Sequence, residues 1–207
     1  MTTRIKAIAY DFDGVAVNSL RYHFSAIQAV LSRCGILTPP IEKMNQWWYA
    51  PYEERFKEMG VNLSLEETRR IYNESIDGKA FPLFPKFSQV ICRLNTQQIL
   101  LFIITATPRL ESVIKILSDG KILDQFAGIR YGRDDKESFL RELLDIHKLS
   151  PNQMIFVGDT KRDILSGVIA GVLPVGFDGG FGGLKTLIES GAKHVITDHE
   201  QIFSLLE

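Results

Sequence analysis

Two aspartates, Asp11 and Asp13, follow a short apolar run that begins at Ile5. The run predicts a buried strand, and open α/β sheets bind their ligands at the carboxyl ends of such strands. One carboxylate could attack a substrate while the other transfers protons. Gly14 permits the sharp turn that brings both acids to one place. In the alternative, the two aspartates are merely solvated acids at the end of a strand. An arbitrary pair of aspartates with this spacing is more often of this second kind.

A second pair of acids, Asp159 and Asp163, follows the apolar run 155–157 and opens a predicted helix that runs to Ala170. One helical turn separates these acids, which therefore face the same way. Carboxylates gathered beside Asp11 would repel one another unless a cation lay among them, and oxygen ligands beside a phosphate favour Mg²⁺. In the alternative, the first acid only caps the helix and the second pairs with a neighbouring basic residue.

Two further residues could complete a phosphate site. Thr105 ends another apolar run, and Pro108 at a predicted first helical position would leave backbone N–H groups free for phosphate oxygens. Lys136 precedes the predicted helix Ser138–Leu144 and could bring positive charge to a transferring phosphoryl group. Taken singly, Thr105 is more often a helix cap and Lys136 a solvated surface residue.

The elements that position these residues alternate between short apolar runs and helix-like stretches. This alternation predicts parallel strands joined by crossover helices in an α/β core. The four stronger runs are Ile5–Tyr10, Leu100–Thr105, Met154–Val157 and Val172–Gly176, and the two weaker ones are Gly128–Tyr131 and His194–Thr197.

A segment of different texture interrupts this core between the first and second strands. Three stretches in it have helical periodicity, and Ser64 with Glu67 forms a capping box that predicts the start of the third. The sequence therefore predicts a helical cap over residues 17–83, inserted into a core formed by residues 1–16 and 84–207. The three predicted cap helices are Tyr22–Leu31, Tyr52–Met59 and Leu65–Ile76.

Composition is that of an ordinary soluble protein, with 207 residues, 45% of them hydrophobic, and 24 basic against 25 acidic residues. Runs of basic residues interleaved with aromatics are absent, so nucleic acid is not expected as a partner. No apolar run approaches the ~18 residues of a membrane span, which predicts a cytoplasmic protein.

Cys34 and Cys92 have no metal-site spacing. The glycine-rich stretch 178–183 lacks the Lys and Ser/Thr of a phosphate loop and predicts a flexible connection.

The order of these motifs along the chain resembles that of the haloacid dehalogenase-like hydrolase superfamily. The matching motifs are the DxD at Asp11, the hydroxyl of Thr105, Lys136 and the GDxxxD that starts at Gly158. The likeness spans nearly the whole chain, and the run 18–24 is similar to the phosphoglycolate phosphatase and β-phosphoglucomutase branch, which carries a helical type 1 cap. The resemblance implies a Rossmann-like parallel sheet. It also implies Mg²⁺ as cofactor.

The same resemblance implies a role for each matching residue. Asp11 would be the nucleophile that forms an aspartyl-phosphate and, with Asp159 and Asp163, would bind Mg²⁺. Asp13 would protonate the leaving group, then deprotonate water, and add its main-chain carbonyl to the metal site. An acid at position 13 also argues against dehalogenation, because the similar dehalogenases lack it.

Phosphoryl oxygens would be held by Thr105, the backbone of Ala106 and Lys136. The family often has proline after this lysine, whereas Glu137 follows it here, so Arg133 is the alternative. Ala106 stands where the family often has asparagine, which matters little for a backbone contact.

The cap offers fewer indications. His23 could meet a substrate hydroxyl, gate the cap or simply pack between domains. Arg55 could contact an anionic substrate or pair with Glu58 or Glu54 on its own helix. The aromatic run 47–49 could form the core of the cap or line a pocket.

These features predict a Mg²⁺-dependent phosphatase that acts on a small phosphorylated metabolite, as a monomer or a weak homo-oligomer. A phosphomutase, in which the phosphoryl group passes to a sugar instead of water, is the main alternative. A non-catalytic binding protein on the same fold is the third, and the presence of every acid of the motifs argues against it.

Overall fold

Six parallel strands form the central sheet of the computed structural model, which describes residues 4–46, 52–132 and 135–206. They are β1 (Ala7–Asp11), β2 (Leu100–Ile104), β3 (Gly128–Arg130), β4 (Met154–Gly158), β5 (Leu173–Phe177) and β6 (His194–Ile196). Their order across the sheet is β3-β2-β1-β4-β5-β6. The predicted α/β, Rossmann-like core is confirmed, and the ends of the six predicted strands shift by at most two residues.

β1 lies in the middle of the sheet, because the chain crosses first to β2 on one side and later to β4 on the other. Ala7 pairs with Leu100 in β2 and with Met154 in β4, so the three strands start level. Asp11 pairs with Ile104, the last residue of β2. The carboxyl ends of these strands therefore open at one edge, where the change of direction beside β1 leaves a crevice for a ligand.

The described residues contain eight α-helices. They are α1 (Leu20–Arg33), α2 (Tyr52–Glu58), α3 (Leu65–Ile76), α4 (Phe87–Thr96), α5 (Leu110–Asp119), α6 (Lys136–His147), α7 (Lys161–Ala170) and α8 (Leu184–Glu189). The three predicted cap helices are confirmed as α1, α2 and α3, the last at its predicted bounds. Within the described ranges, no helix combines the length and the apolar character needed to cross a membrane.

Alternate residues of β1 fill two cores on opposite faces of the sheet, as expected for a strand that is covered on both sides. Ile8 and Tyr10 join the core that contains residues of α4 and α5. Ala7 and Ala9 join the core that contains residues of α6. Burying each large apolar side chain contributes about 1.5–3 kcal/mol, so the central strand, which carries Asp11, is firmly held.

The cap has a hydrophobic core of its own, to which α1, α2 and α3 contribute buried residues such as Val30, Phe56 and Ile76. Where the chain leaves and re-enters the sheet domain, Val17 and Leu83 pair in an antiparallel bridge. The predicted division into a cap of residues 17–83 and a two-part core stays a proposal, which this separate packing supports.

Two predicted helix starts are wrong. α6 begins at Lys136 instead of Ser138, because the Asp135 carboxylate accepts the Ser138 N–H at 3.1 Å and caps an earlier turn. α5 begins at Leu110, so Pro108 is not its first residue. The Thr107 hydroxyl accepts the Arg109 N–H at 3.4 Å, and this local turn delays the start of the helix.

His199 begins the C-terminal 3-10 helix, His199–Leu205, and is buried among aromatic rings, with 1% of its surface exposed. Its ring stacks on Phe177, with 4.4 Å between the centroids. Burial lowers the pKa of His199 from 6.5 to about 4, although the charge of Asp198 opposes the shift. The unfolded chain binds this proton near pH 6.5, so stability is complete above that pH and declines as the pH falls towards 4.

His199→Phe is expected to remove this acid sensitivity. Between about pH 7.5 and about pH 5, the free energy of unfolding of the wild type should fall by about 2 kcal/mol more than that of the variant. Urea titrations of both proteins at both pH values measure the difference, and the contribution of other titrating groups cancels. An equal pH dependence in the two proteins would show that the imidazole titrates normally.

Candidate active site

Asp11 is the last residue of β1, and its buried carboxylate is held from two directions. Its Oδ1 accepts the N–H of Phe12 at 2.7 Å and lies 2.8 Å from the Nζ atom of Lys136. Lys136 is itself buried and donates to Asp163 Oδ1 at 2.6 Å. Although burial lowers the pKa of Lys136, the two carboxylates raise it above the usual lysine value overall, so its ammonium stays charged.

Three carboxylates converge beside this lysine, because oxygen atoms of Asp11, Asp159 and Asp163 all lie within 4.8 Å of one another. Burial raises the pKa of Asp11 to about 7, an effect that the charge of Lys136 limits. Burial, followed by the charges of Asp163 and Asp11, raises the pKa of Asp159 well above its usual value. One ammonium against three carboxylates leaves an uncompensated negative charge in a buried place.

A divalent cation fits this donor set. The ligands offered are carboxylate oxygens, which suit hard cations such as Mg²⁺. Asp159 Oδ2 accepts the Phe181 N–H at 2.7 Å, whereas the buried Asp159 Oδ1 has no hydrogen-bond partner among the described residues. A buried carboxylate oxygen without a partner is costly, and a cation in contact with it would remove that cost.

Asp159 and Asp163 come together differently from the prediction that placed both on one helix. α7 starts at Lys161 with Thr160 as its N-cap, so Asp159 precedes the helix. Asp163 closes a capping box, since its Oδ2 accepts the Thr160 N–H at 3.0 Å while its backbone N–H donates to Thr160 Oγ1. The capping box fixes Asp163 with its other oxygen, Oδ1, directed to Lys136.

The glycine-rich stretch 178–183 joins β5 to α8, as predicted, and it also covers this acid cluster. Phe181 and Gly182 donate backbone N–H groups to the side chain and to the carbonyl of Asp159, at 2.7 and 2.9 Å. A Cβ atom on Gly180 would lie 2.1 Å from Asp159 Oδ2 and 2.4 Å from the Gly14 carbonyl oxygen. Only glycine allows this approach, which sequence patterning alone does not reveal.

Gly180→Ala is therefore expected to distort the site and to lower the free energy of unfolding by about 2–4 kcal/mol. Gly128→Ala is the matched control, because its added Cβ would meet nothing closer than 3.5 Å. Urea unfolding of the two variants beside the wild type tests the comparison. Equal stability of the two variants would mean that the loop moves aside without cost.

Asp13 lies at the turn after β1, where its side chain is 24% exposed and reaches the cap. Its Oδ1 lies 3.2 Å from His23 Nε2, and His23 Nδ1 lies 2.6 Å from the Tyr72 hydroxyl on α3. Burial raises the pKa of Asp13, but the hydrogen bond and charge of His23, together with Ser19 and Lys136, lower it by more, so the net shift is downward. His23 thus joins the sheet domain to two helices of the cap. These contacts fit packing between domains, while contact with a substrate and gating of the cap stay predictions.

Thr105 directly follows β2 and is 1% exposed. Its backbone N–H donates to the Arg130 carbonyl at 2.9 Å, and its hydroxyl accepts the Thr107 N–H at 3.2 Å. The pairing of Asp11 with Ile104 sets Thr105 beside the nucleophile candidate. Thr105 and Ala106 both line the cavity that opens above Asp11.

That cavity has a volume of about 550 Å³ and lies between the sheet domain and the cap. Asp11, Asp13, Asp163 and Lys136 line it on the sheet side. On the cap side, one face of α3 lines it, through residues spaced as one side of a helix requires. These residues are Thr68, Arg69, Tyr72, Asn73 and Ile76.

A sequence model described as haloacid dehalogenase-like hydrolase matches residues 8–176, most of the chain. The chain belongs to this family. A phosphoglycolate phosphatase of Haemophilus influenzae is 26% identical over 226 aligned positions, with all of both chains covered. One from Pasteurella multocida is 24% identical and covers 99% of this chain and 100% of its own.

Solved structures show the same fold. A haloacid dehalogenase-like family protein from Streptococcus pneumoniae superimposes with a TM-score of 0.83 at 24% identity, with full coverage of both chains. A predicted phosphoglycolate phosphatase from Haemophilus somnus gives a TM-score of 0.81 at 21% identity, again over all of both chains. The family resemblance inferred from the motifs is confirmed by the matching sequence model.

This haloacid dehalogenase-like hydrolase brings most of its predicted site residues to one cavity. Seven of them line it, namely Asp11, Asp13, His23, Thr105, Ala106, Lys136 and Asp163. Asp159 does not line it, but one of its carboxylate oxygens lies within 4.8 Å of those of Asp11 and Asp163. Two predictions fall outside the described residues. They concern Arg133, the alternative to Lys136 as the positively charged residue, and the aromatic run 47–49.

Arg55, like Asp159, does not line the cavity. It forms an ion pair with Glu58 one turn further along α2, which was its predicted alternative. The lining residues that the sequence did not indicate include those of α3 and the side chains of Phe56, Arg109, Arg162 and Phe181. Their signal was faint, because Arg69, Tyr72 and Asn73 look like parts of an ordinary amphipathic helix.

Proposed function

We propose that this chain is a Mg²⁺-dependent phosphatase, which transfers the phosphoryl group of a small phosphate monoester to Asp11 and then to water. The observation that carries the proposal is the oriented Asp11 carboxylate at the base of the cavity, with the ammonium of Lys136 2.8 Å away. The curated relatives named phosphoglycolate phosphatase support a hydrolase of phosphate monoesters.

The first step requires that Asp13 carry a proton when the substrate is bound, although the contacts of the site without substrate lower its pKa. An Asp11 oxygen attacks phosphorus, and the bond to the leaving oxygen breaks as Asp13 gives that oxygen its proton. In the second step, the Asp13 carboxylate takes a proton from water, whose oxygen attacks phosphorus and releases Asp11 and phosphate. The contact between Asp13 and His23, at 3.2 Å, holds Asp13 in place for both steps. The two acids thus divide the work as nucleophile and proton carrier.

Lys136 and Thr105 would hold the phosphoryl oxygens, together with the backbone N–H of Ala106. The ammonium of Lys136 opposes the negative charge of the transferring group, an effect that a buried site strengthens. Asp11, Asp159 and Asp163, with the main-chain carbonyl of Asp13, would hold Mg²⁺. The bound ion would supply positive charge that keeps Asp11 ionised and balances the phosphate oxygens.

The cap determines which substrates enter. α3 and the adjoining chain around Arg109 line the cavity opposite Asp11, so a small metabolite would fit there and the cap would limit the access of water during transfer. A small phosphorylated metabolite is therefore the proposed substrate class. The monomeric or weakly oligomeric state and the cytoplasmic location stay predictions.

The test is a panel of phosphoglycolate and sugar phosphates, assayed with Mg²⁺ for release of inorganic phosphate and for conversion between isomers. A phosphatase releases phosphate without interconverting isomers. Interconversion without release would establish a phosphomutase instead, and no turnover of any member or of an aryl phosphate would reject the proposal.

A further inference from the structure

The cavity is charged differently at its two ends. Every carboxylate that lines it belongs to Asp11, Asp13 or Asp163, all on the sheet side. Among the described residues, three guanidinium groups line it too: that of Arg162, which is next to Asp163 on α7, that of Arg69 on α3, and that of Arg109, which hydrogen-bonds to Asn73 on α3. A leaving group that points towards the cap therefore meets positive charge.

Arg69 reaches the cavity from the cap. It stands one residue after Thr68 and four before Asn73 on the face of α3 that lines the cavity. Thr68 is buried, whereas Arg69 is exposed, so this face passes from a buried strip to a charged rim. An exposed guanidinium at such a rim can meet an anion without a large desolvation cost.

Arg109 reaches the same cavity from the sheet domain, and its guanidinium is already oriented. Its Nη2 donates to Asn73 Oδ1 at 2.6 Å, and its Nε lies 3.2 Å from Asp77 Oδ1. Neither contact involves Nη1, so the guanidinium retains donors for a further acceptor. A pre-oriented guanidinium loses little entropy when it binds a carboxylate or a phosphate.

We propose that Arg69 and Arg109 form a second anion subsite, which holds a carboxylate or phosphate on the leaving group of the substrate. The proposal rests on the proposed phosphatase function and narrows its substrate class to phosphate monoesters with a second anionic group. Two arginines, one from α3 and one from the sheet domain beside it, would select for this charge by paired, charge-assisted hydrogen bonds. Phosphate monoesters whose leaving group is uncharged would enter the site but would be turned over poorly. In the experiments below, the anionic and the neutral substrate are named after the charge of this leaving group.

The test compares pairs of substrates that differ mainly in the second charge, with Mg²⁺ present. Phosphoglycolate is paired with hydroxyethyl phosphate, phosphoglycerate with glycerol phosphate, and a hexose bisphosphate with its monophosphate. The anionic member of at least one pair should have a kcat/KM at least about 10-fold higher. A preference within either of the first two pairs identifies a carboxylate as the favoured anion. A preference within the third pair identifies a phosphate.

Arg69→Gln and Arg109→Gln should each raise KM for the favoured anionic substrate about 10-fold and change turnover of its neutral partner by less than about 2-fold. Arg70→Gln is the matched control, because Arg70 lies on α3, does not line the cavity and pairs with Glu74 at 2.9 Å. It should leave both members unchanged.

A purely structural role for Arg109, as a tie between core and cap, gives a different pattern. Asp77→Asn removes the ion pair of Arg109 but keeps its charge. If Arg109 only linked the sheet domain to the cap, Asp77→Asn and Arg109→Gln would each change the kcat/KM of the anionic and the neutral substrate by the same factor. That result would reject the subsite. With a true subsite, Asp77→Asn preserves the preference for the anion.

Further outcomes would also overturn the subsite. These are equal turnover of both members of all pairs by the wild type, or a preference that survives in the Arg69→Gln, Arg109→Gln double variant. Hydrolysis of an aryl phosphate without hydrolysis of any anionic member would reject the subsite and leave the phosphatase function intact. Absence of turnover of every compound, the aryl phosphate included, would reject both.

Discussion

Replacing Asp11 with Asn is expected to lower kcat for phosphate release by about 10⁴-fold or more, because the amide oxygen cannot replace a carboxylate as nucleophile. The substitution keeps the shape of the side chain, so substrate should still bind. Turnover is measured with Mg²⁺ at saturating substrate, and thermal unfolding of the variant checks that it is folded.

Asp145→Asn is the control for this experiment, since Asp145 is an exposed acid on α6 outside the cavity. It should retain full activity. Asp11→Ala, which cannot revert by deamidation, should be as inactive as Asp11→Asn. If either Asp11 variant kept more than about one hundredth of wild-type turnover, Asp11 would not be the nucleophile.

Mg²⁺ is expected to stabilise the wild type against thermal unfolding, and Asp159→Asn to remove most of that stabilisation. At 10–100 times its dissociation constant, a ligand contributes about 1.4–2.7 kcal/mol, which for a chain of this size raises Tm by about 3–10 °C. The asparagine still offers an oxygen to the Phe181 N–H, but it lacks the charge that draws a cation to the cluster.

Tm is compared in excess chelator and in a Mg²⁺ series for the wild type, Asp159→Asn and the exposed-acid control Asp145→Asn. The control should shift with Mg²⁺ as the wild type does. A wild type whose Tm ignores Mg²⁺, or an Asp159→Asn variant that responds as strongly as the wild type, would contradict the proposed metal site. This readout does not depend on turnover, so it separates metal binding from catalysis.

The sheet could be predicted because a strand covered on both faces leaves an uninterrupted apolar run, and each run here ends beside a polar residue. Asp11 and Thr105 follow directly from that rule, since both stand at the ends of adjacent strands. Parallel strands bring such residues to one edge whatever lies between them in the chain.

Contacts between distant segments could not be predicted in this way. The approach of Gly180 to Asp159 depends on how a loop folds over the cluster, and glycine in a loop has the same local pattern when it is merely flexible. Lys136 was assigned by order of motifs alone, and its buried contacts with Asp11 and Asp163 depend on where α6 begins.

The cap was the least predictable part. The aromatic run 47–49 and Arg55 were the conspicuous side chains, whereas five of the cap residues that line the cavity belong to α3, beside Phe56 of α2 and His23 of α1. Helical periodicity shows that a helix has two faces, but it does not show which element or cavity each face meets. The polar face of α3 was therefore indistinguishable from a solvated surface.

The central claim, transfer of the phosphoryl group to Asp11, is tested most directly by trapping the covalent intermediate. The Mg²⁺-loaded enzyme is mixed with a turned-over phosphate monoester, quenched in acid within the first turnovers, and digested for mass spectrometry. The account predicts a phosphoryl group on the peptide that contains Asp11, and none in the Asp11→Asn variant. Full turnover with an unmodified Asp11 peptide at every quench time, or a phosphoryl group on another residue, would contradict it.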